Sequence, residues 1–152
     1  MKILYIISML ASLLLLNSCG SGPTENSALH VKNSASDSVY NLCYASFVQK
    51  DTVLLNALMY GDSIKGSLGY KLYERQQDNG LILGKMHGDT LRALYTFMKG
   101  DSELINEITF LRKDSILTEG LGKRVLKAGK LVFENTRNVE YTGLKLAKVK
   151  CK

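Results

Sequence analysis

The sequence predicts an all-β domain, a small antiparallel up-and-down barrel of about eight strands. Three observations predict it. Apolar residues recur at every second position over long stretches, which is the spacing of half-buried strands. Gly-Asp and Asn-Gly pairs interrupt those stretches at near-regular intervals, as tight hairpins require. No stretch from Val39 onward carries an apolar helical period.

The expected strands span 39–48, 52–60, 64–74, 81–87, 90–98, 104–112, 115–122, 130–135 and 143–151. In 64–74, Ile64, Gly66, Leu68, Tyr70 and Leu72 share one face. In 90–98, Leu91, Ala93, Tyr95 and Phe97 do the same. In 104–112, Leu104, Ile108 and Phe110 share a face that includes Asn106. Turns are expected at Gly61-Asp62, Gly88-Asp89 and Gly100-Asp101, and also at Asp78-Asn79-Gly80 and Lys113-Asp114-Ser115. None of these loops has the ligand spacing of a calcium-binding loop. Gly66, Gly69, Gly84, Gly120 and Gly122 fall inside the expected strands, where glycine marks a bulge or a sharp bend. Closing the strands into a barrel would leave no exposed sheet edge.

The amino end is of another kind. Met1-Lys2 precedes an apolar run from Ile3 to Leu16, broken only by Ser8 and Ser12. A membrane-crossing helix needs about 20 apolar residues, so the run fits the core of a secretory signal better. Leu16-Asn17-Ser18-Cys19 resembles a bacterial lipobox of the Bacteroidota style. The resemblance implies a signal peptide over 1–18, removal of that signal, and lipidation of Cys19 by acyl chains of the palmitate type. Two or more such chains hold a protein stably on a bilayer. Residues 19–38 are rich in Ser, Gly and Asn and carry Pro23, the chain's one proline; they read as a flexible tether. Only Glu25 lies in the position of the acidic cluster that surface-exposed lipoproteins of this kind carry. The resemblance therefore implies an outer-membrane lipoprotein in the cell envelope, facing the periplasm.

With Cys19 assigned to lipid, Cys43 and Cys151 remain as an even pair in an oxidising compartment. That count favours a disulfide over two buried free thiols, and the bond would join the two ends of the 39–152 domain. The domain also resembles a group of small uncharacterised Bacteroidota lipoproteins with a calycin- or lipocalin-like barrel. The residues that carry this likeness include Leu42-Cys43-Tyr44, Gly66-Ser67-Leu68-Gly69-Tyr70, the run Asn79 to Leu91, and Lys148-Val149-Lys150-Cys151. The likeness implies a fold and an envelope location but no activity.

Little in the sequence points to catalysis or cofactor chemistry. The net charge of +6 is spread along the chain without an Arg-rich stripe, which argues against nucleic acid. His30 and His87 are the only histidines and lack partners at metal-ligand spacing, so no metal or other cofactor is expected. There is no nucleophile elbow, and His87 reads as a surface residue beside a turn. Glu107 and Glu119 could approach across neighbouring strands, but a solvated outer face is the better reading of them. The expectation is a non-enzymatic binding or scaffold module, held to the membrane by the lipid on Cys19. Its partner would be a small apolar or amphipathic ligand, or an envelope protein. Leu68, Tyr70, Tyr95 and Phe97 are the candidate ligand-lining residues, although a filled core is favoured for so short a chain. The alternative is an inhibitor or sensor acting on an envelope protein, similar to the membrane-bound lysozyme inhibitors, whose characteristic stretches are absent here.

Overall fold

The structure is a computed structural model that describes residues 38–151. The expected signal, Cys19, and the tether as far as residue 37 lie outside the described residues.

Among the described residues there are ten strands: β1 (Val39–Val48), β2 (Asp51–Tyr60), β3 (Ser63–Lys71), β4 (Asp78–His87), β5 (Thr90–Lys99), β6 (Ser102–Lys113), β7 (Ile116–Glu119), β8 (Arg124–Lys127), β9 (Lys130–Phe133) and β10 (Lys145–Lys148). Eight of them pair in the order β5-β4-β3-β2-β1-β10-β7-β6, and β6 pairs back with β5, so the sheet closes into an antiparallel barrel. The β8–β9 hairpin stands outside this ring. It joins β6 through a short parallel pairing at Ile105 and Asn106, beyond the point where β7 leaves that strand.

Local chemistry explains the meander. The β2–β3, β4–β5 and β5–β6 hairpins turn at Gly61, Gly88 and Gly100, whose φ angles are 58°, 61° and 60°. Glycine takes that left-handed conformation without steric cost. The first and last barrel strands are neighbours, with Tyr44 opposite Lys148 and Ala45 opposite Ala147. The disulfide between Cys43 and Cys151 fastens that seam, with the two Cα atoms 5.4 Å apart.

The alternation places the core as expected in β3 and β5. Ile64 and Leu68 point into the barrel, as do Leu91, Ala93, Tyr95 and Phe97, and they meet Ile82, Phe110 and Leu146. Each large apolar side chain fully buried in this way contributes about 1.5–3 kcal/mol. Leu104 departs from the expectation: it is exposed, because it sits beside the Lys99–Ser102 hairpin at the open end of the barrel.

Three further readings are corrected. Asp78-Asn79-Gly80 is not a turn but the start of β4; residues 72–77 form the connection instead. Gly66 and Gly84 are not bulges, because pairing runs through both without a break. They allow close approach of neighbouring strands: a Cβ at Gly84 would lie 2.5 Å from the Cα of Ala93, and one at Gly66 2.5 Å from the Cα of Ala57. The strand expected over 115–122 ends at Glu119, so Gly120 and Gly122 lie outside it. The short strand β8 was not expected, since four residues between Lys123 and Ala128 carry no readable period.

The register gives the barrel two ends. Val39, the Gly61 turn and the Gly88 turn lie at one end. The β1–β2 turn, the 72–77 connection and the Gly100 turn lie at the other, which is called the mouth below.

Candidate functional site

The four candidate ligand-lining residues do come together inside the barrel. They fill it and leave no open calyx at their level. Leu68 is 0% exposed, Tyr95 3% and Phe97 7%. The Tyr95 and Phe97 rings stack with centroids 4.7 Å apart, and Tyr70 meets Tyr95 edge-on at 5.9 Å. Aromatic pairs in these geometries add about 0.5–1.5 kcal/mol beyond the area they bury.

Above this cluster a polar bond crosses the lumen. The Tyr70 hydroxyl on β3 donates to Glu119 Oε1 on β7 at 3.1 Å, and three strands lie between these two in the wall. Glu119 points inward because it is paired with Phe110, a core residue. Burial raises its carboxyl above the usual carboxylate range; the Tyr70 hydrogen bond and the nearby Arg124 charge pull it partly back. Burial likewise raises the Tyr70 hydroxyl, and Glu119 adds to that rise.

This arrangement predicts a pH dependence of stability. The folded protein holds the Glu119 proton more tightly than the unfolded chain does. Glu119 therefore favours folding most at a pH below the ordinary glutamate value of about 4.3, and that contribution is lost as pH rises through the raised folded value. Glu119→Gln keeps an acceptor for Tyr70 but cannot ionise. Thermal melts from acid to neutral pH should show the variant gaining on wild type as pH rises. A difference in Tm that stays constant with pH would remove Glu119 as the source.

The mouth holds a second polar group. Tyr95 lies opposite Ile82 in the register, and its ring leans across Gly80 towards Asp78. A Cβ at Gly80 would collide with the Thr96 carbonyl oxygen and lie 2.7 Å from Tyr95 Cε2, so glycine here lets β5 and the ring approach closely. The Tyr95 hydroxyl and Asp78 Oδ1 are both buried and have no hydrogen-bond partner among the described residues. Burial, with the Asp78 charge as the smaller cause, pushes the Tyr95 hydroxyl up to about 12. Asp78 also lines a cavity of about 310 Å³ with Tyr70, Leu72, Arg75, Gln76 and Lys99.

A larger feature lies on the outer wall of β1–β4. Leu54 and Leu58 of β2 and Leu81 and Leu83 of β4 point away from the core, as does Phe47 of β1. Leu81 and Leu83 are each 66% exposed, far beyond what a half-buried wall position leaves open. A groove of about 930 Å³ runs over this face, between Phe47, Leu54, Leu58 and Leu81 on one side and Val149 with the Cys43–Cys151 bond on the other. Lys65 and Lys150 also line it, and among the described residues no carboxylate does.

The acid pair considered for catalysis is split between the two faces of the wall. Glu119 points in, whereas Glu107 points out and accepts the Phe133 backbone N–H at 2.9 Å. Glu107 is therefore half-buried and not free in solvent, because β9 runs beside β6 and ends against it. Thr109 on the same face is also covered, and its hydroxyl donates to the Leu91 carbonyl at 2.9 Å. His87 is exposed at the end of β4. Among the described residues no group of three or more His, Cys, Asp or Glu is placed to hold a metal ion. No family model, curated protein or solved structure matches the chain.

Sequence reasoning found the aromatic cluster and the disulfide. It missed Asp78 and the inward turn of Glu119, and it did not single out the outer leucines. The outer leucines had one signal: in Val53-Leu54-Leu55-Asn56-Ala57-Leu58 the apolar residues occupy both faces of the strand.

Proposed function

We propose that the chain is an outer-membrane envelope lipoprotein, lipidated at Cys19 and facing the periplasm, whose barrel is a non-enzymatic docking module for an envelope protein. The outer groove of β1–β4 is the docking surface. The partner presents an apolar segment flanked by carboxylates, which suits a groove lined, among the described residues, by leucines with Lys65 and Lys150 and no acid.

One observation carries this reading. The lumen is packed with side chains, while the outer wall displays leucines that the core does not use. Soluble monomers rarely leave contiguous apolar faces of this kind open without an interaction to serve. The packed aromatic cluster leaves a small apolar ligand no room at the level of Leu68, Tyr95 and Phe97.

Native mass spectrometry of the protein extracted from its own envelope tests the proposal. The expected species carries acyl chains on Cys19 and retains a partner protein. Leu58→Glu combined with Leu81→Glu should weaken that complex by about thirtyfold or more, because apolar anchors at the centre of an interface carry most of its energy. A bare chain, a chain holding only a small amphiphile, or a complex indifferent to both substitutions contradicts the reading.

A further inference from the structure

We propose that the Cys43–Cys151 bond is a thiol-sensitive clasp on the outer groove: a dithiol opens it, frees residues 149–151 from the barrel and ends docking, while the other strands stay folded. The inference rests on the docking reading above.

The groove straddles the seam at which the barrel closes. Cys43, Ala45 and Phe47 of β1 line it on one side of that seam, and Val149, Lys150 and Cys151 line it on the other. The seam is the shortest pairing in the ring, since β1 and β10 match only at Tyr44–Lys148 and Ala45–Ala147. β10 ends at Lys148, and the residues beyond it belong to no strand. Among the described residues, the one backbone hydrogen bond from 149–151 runs from the Val149 N–H to the Cys43 carbonyl. Val149 is itself 38% exposed. One neutral hydrogen bond and a partly exposed valine do not offset the backbone entropy of fixing three residues. The disulfide therefore holds this wall in place. β10 itself is held independently, by its ladder with β7 and by Leu146 in the core.

The bond is open to attack from the groove. Cys43 is 5% exposed and Cys151 is half-buried, so an incoming thiolate meets the Cys151 sulfur. Lys65 and Lys150 line the same groove, and nearby cations favour a thiolate. The thiolate bonds to Cys151 Sγ, the Cys43–Cys151 bond breaks, and Cys43 leaves with the electron pair and takes a proton. The second thiol of the reductant then displaces Cys151. Two protein thiols remain, and the reductant, which supplied both electrons and both protons, leaves as its own disulfide.

The test uses the full chain, dithiothreitol as the dithiol and bis-ANS as the groove probe. That dye has apolar rings for the leucines and two sulfonates for the lysines. Oxidised wild type should bind it saturably, and Leu58→Glu with Leu81→Glu should weaken binding by about tenfold or more. The reduced chain should keep its far-ultraviolet strand signal and lose affinity by about tenfold or more as well. The Cys43→Ala/Cys151→Ala variant should match it without reductant. Dye at about ten times its Kd should slow reduction of the oxidised chain about tenfold, because it covers the approach to Cys151. Equal binding by oxidised wild type and the glutamate variant would remove the docking surface, and this inference with it. Three results overturn the clasp alone: groove binding that is as tight or tighter after reduction, a reduction rate indifferent to the dye, or loss of the whole strand signal on reduction.

Discussion

Removing the Cys43–Cys151 bond is expected to lower the unfolding free energy by about 2–5 kcal/mol. The bond joins residues 108 positions apart, so it closes nearly the whole domain into one loop. In the chain-entropy description a loop of about 100 residues is worth about 4.7 kcal/mol, the upper part of that range. The location adds to the effect. β10 contributes only four residues, and it is the strand that joins β1 to β7 and completes the ring. Without the bond, that short strand holds the seam through its ladder, the Leu146 side chain and the hydrogen bond from Val149 N–H to the Cys43 carbonyl. Urea unfolding of wild type, with and without reductant, and of the Cys43→Ala/Cys151→Ala double variant measures this. Both the reduced and the substituted forms should unfold at clearly lower urea. Coincident unfolding curves would mean that the closed wall holds without its covalent clasp.

Phe110→Ala should cost a comparable amount, about 3–5 kcal/mol. Phe110 is 0% exposed and lies opposite Leu91 on β5 and Glu119 on β7. Its ring therefore supports two neighbouring strands of the wall and the polar crossbar above them. A closed barrel cannot collapse easily around the vacancy, because every strand is hydrogen-bonded on both sides. The informative comparison is Leu104→Ala on the same strand. The sequence pattern groups Leu104 with Ile108 and Phe110, yet Leu104 is 38% exposed. Its substitution should stay within about 0.5 kcal/mol of wild type. Equal losses at the two positions would contradict the placement of the core.

The contrast between these two residues shows how far the sequence could be read. Period-two alternation located β3 and β5 and their inward faces, because those strands have one wet side and one dry side. Gly61, Gly88 and Gly100 marked three hairpins, since their positive φ angles leave glycine as the natural choice. The closing pair β1–β10 followed from the cysteine count together with strand order. Alternation says nothing about where along a strand the core ends, so Leu104 was misplaced. Asn79-Gly80 read as a turn by its type, but Gly80 is glycine because the Thr96 carbonyl of β5, with the Tyr95 ring beside it, closes on that position. That requirement is visible only once β4 and β5 are paired.

The candidate sites were harder to read for the same reason. The aromatic cluster was legible because its members alternate along β3 and β5. The groove was not, because it is assembled from β1, β2, β3, β4 and the residues after β10, and its leucines are hidden inside continuous apolar runs. Glu107 and Glu119 could not be sorted from sequence alone. Their faces depend on the register of β6 against β7 and on a hairpin, β8–β9, whose strands are too short to show a period.

Site-specific photocrosslinking in the native cells tests the proposed docking most directly, namely that the outer wall of β1–β4 is the surface that takes a partner protein. A photoreactive residue is placed at Leu81 in the full chain, and the control is placed at Leu126, a comparably exposed leucine on β8 outside the groove. The account predicts a protein adduct of discrete mass from position 81 that disappears with Leu58→Glu, and none from position 126. Adducts of equal yield from both positions, or only lipid adducts from position 81, would contradict it.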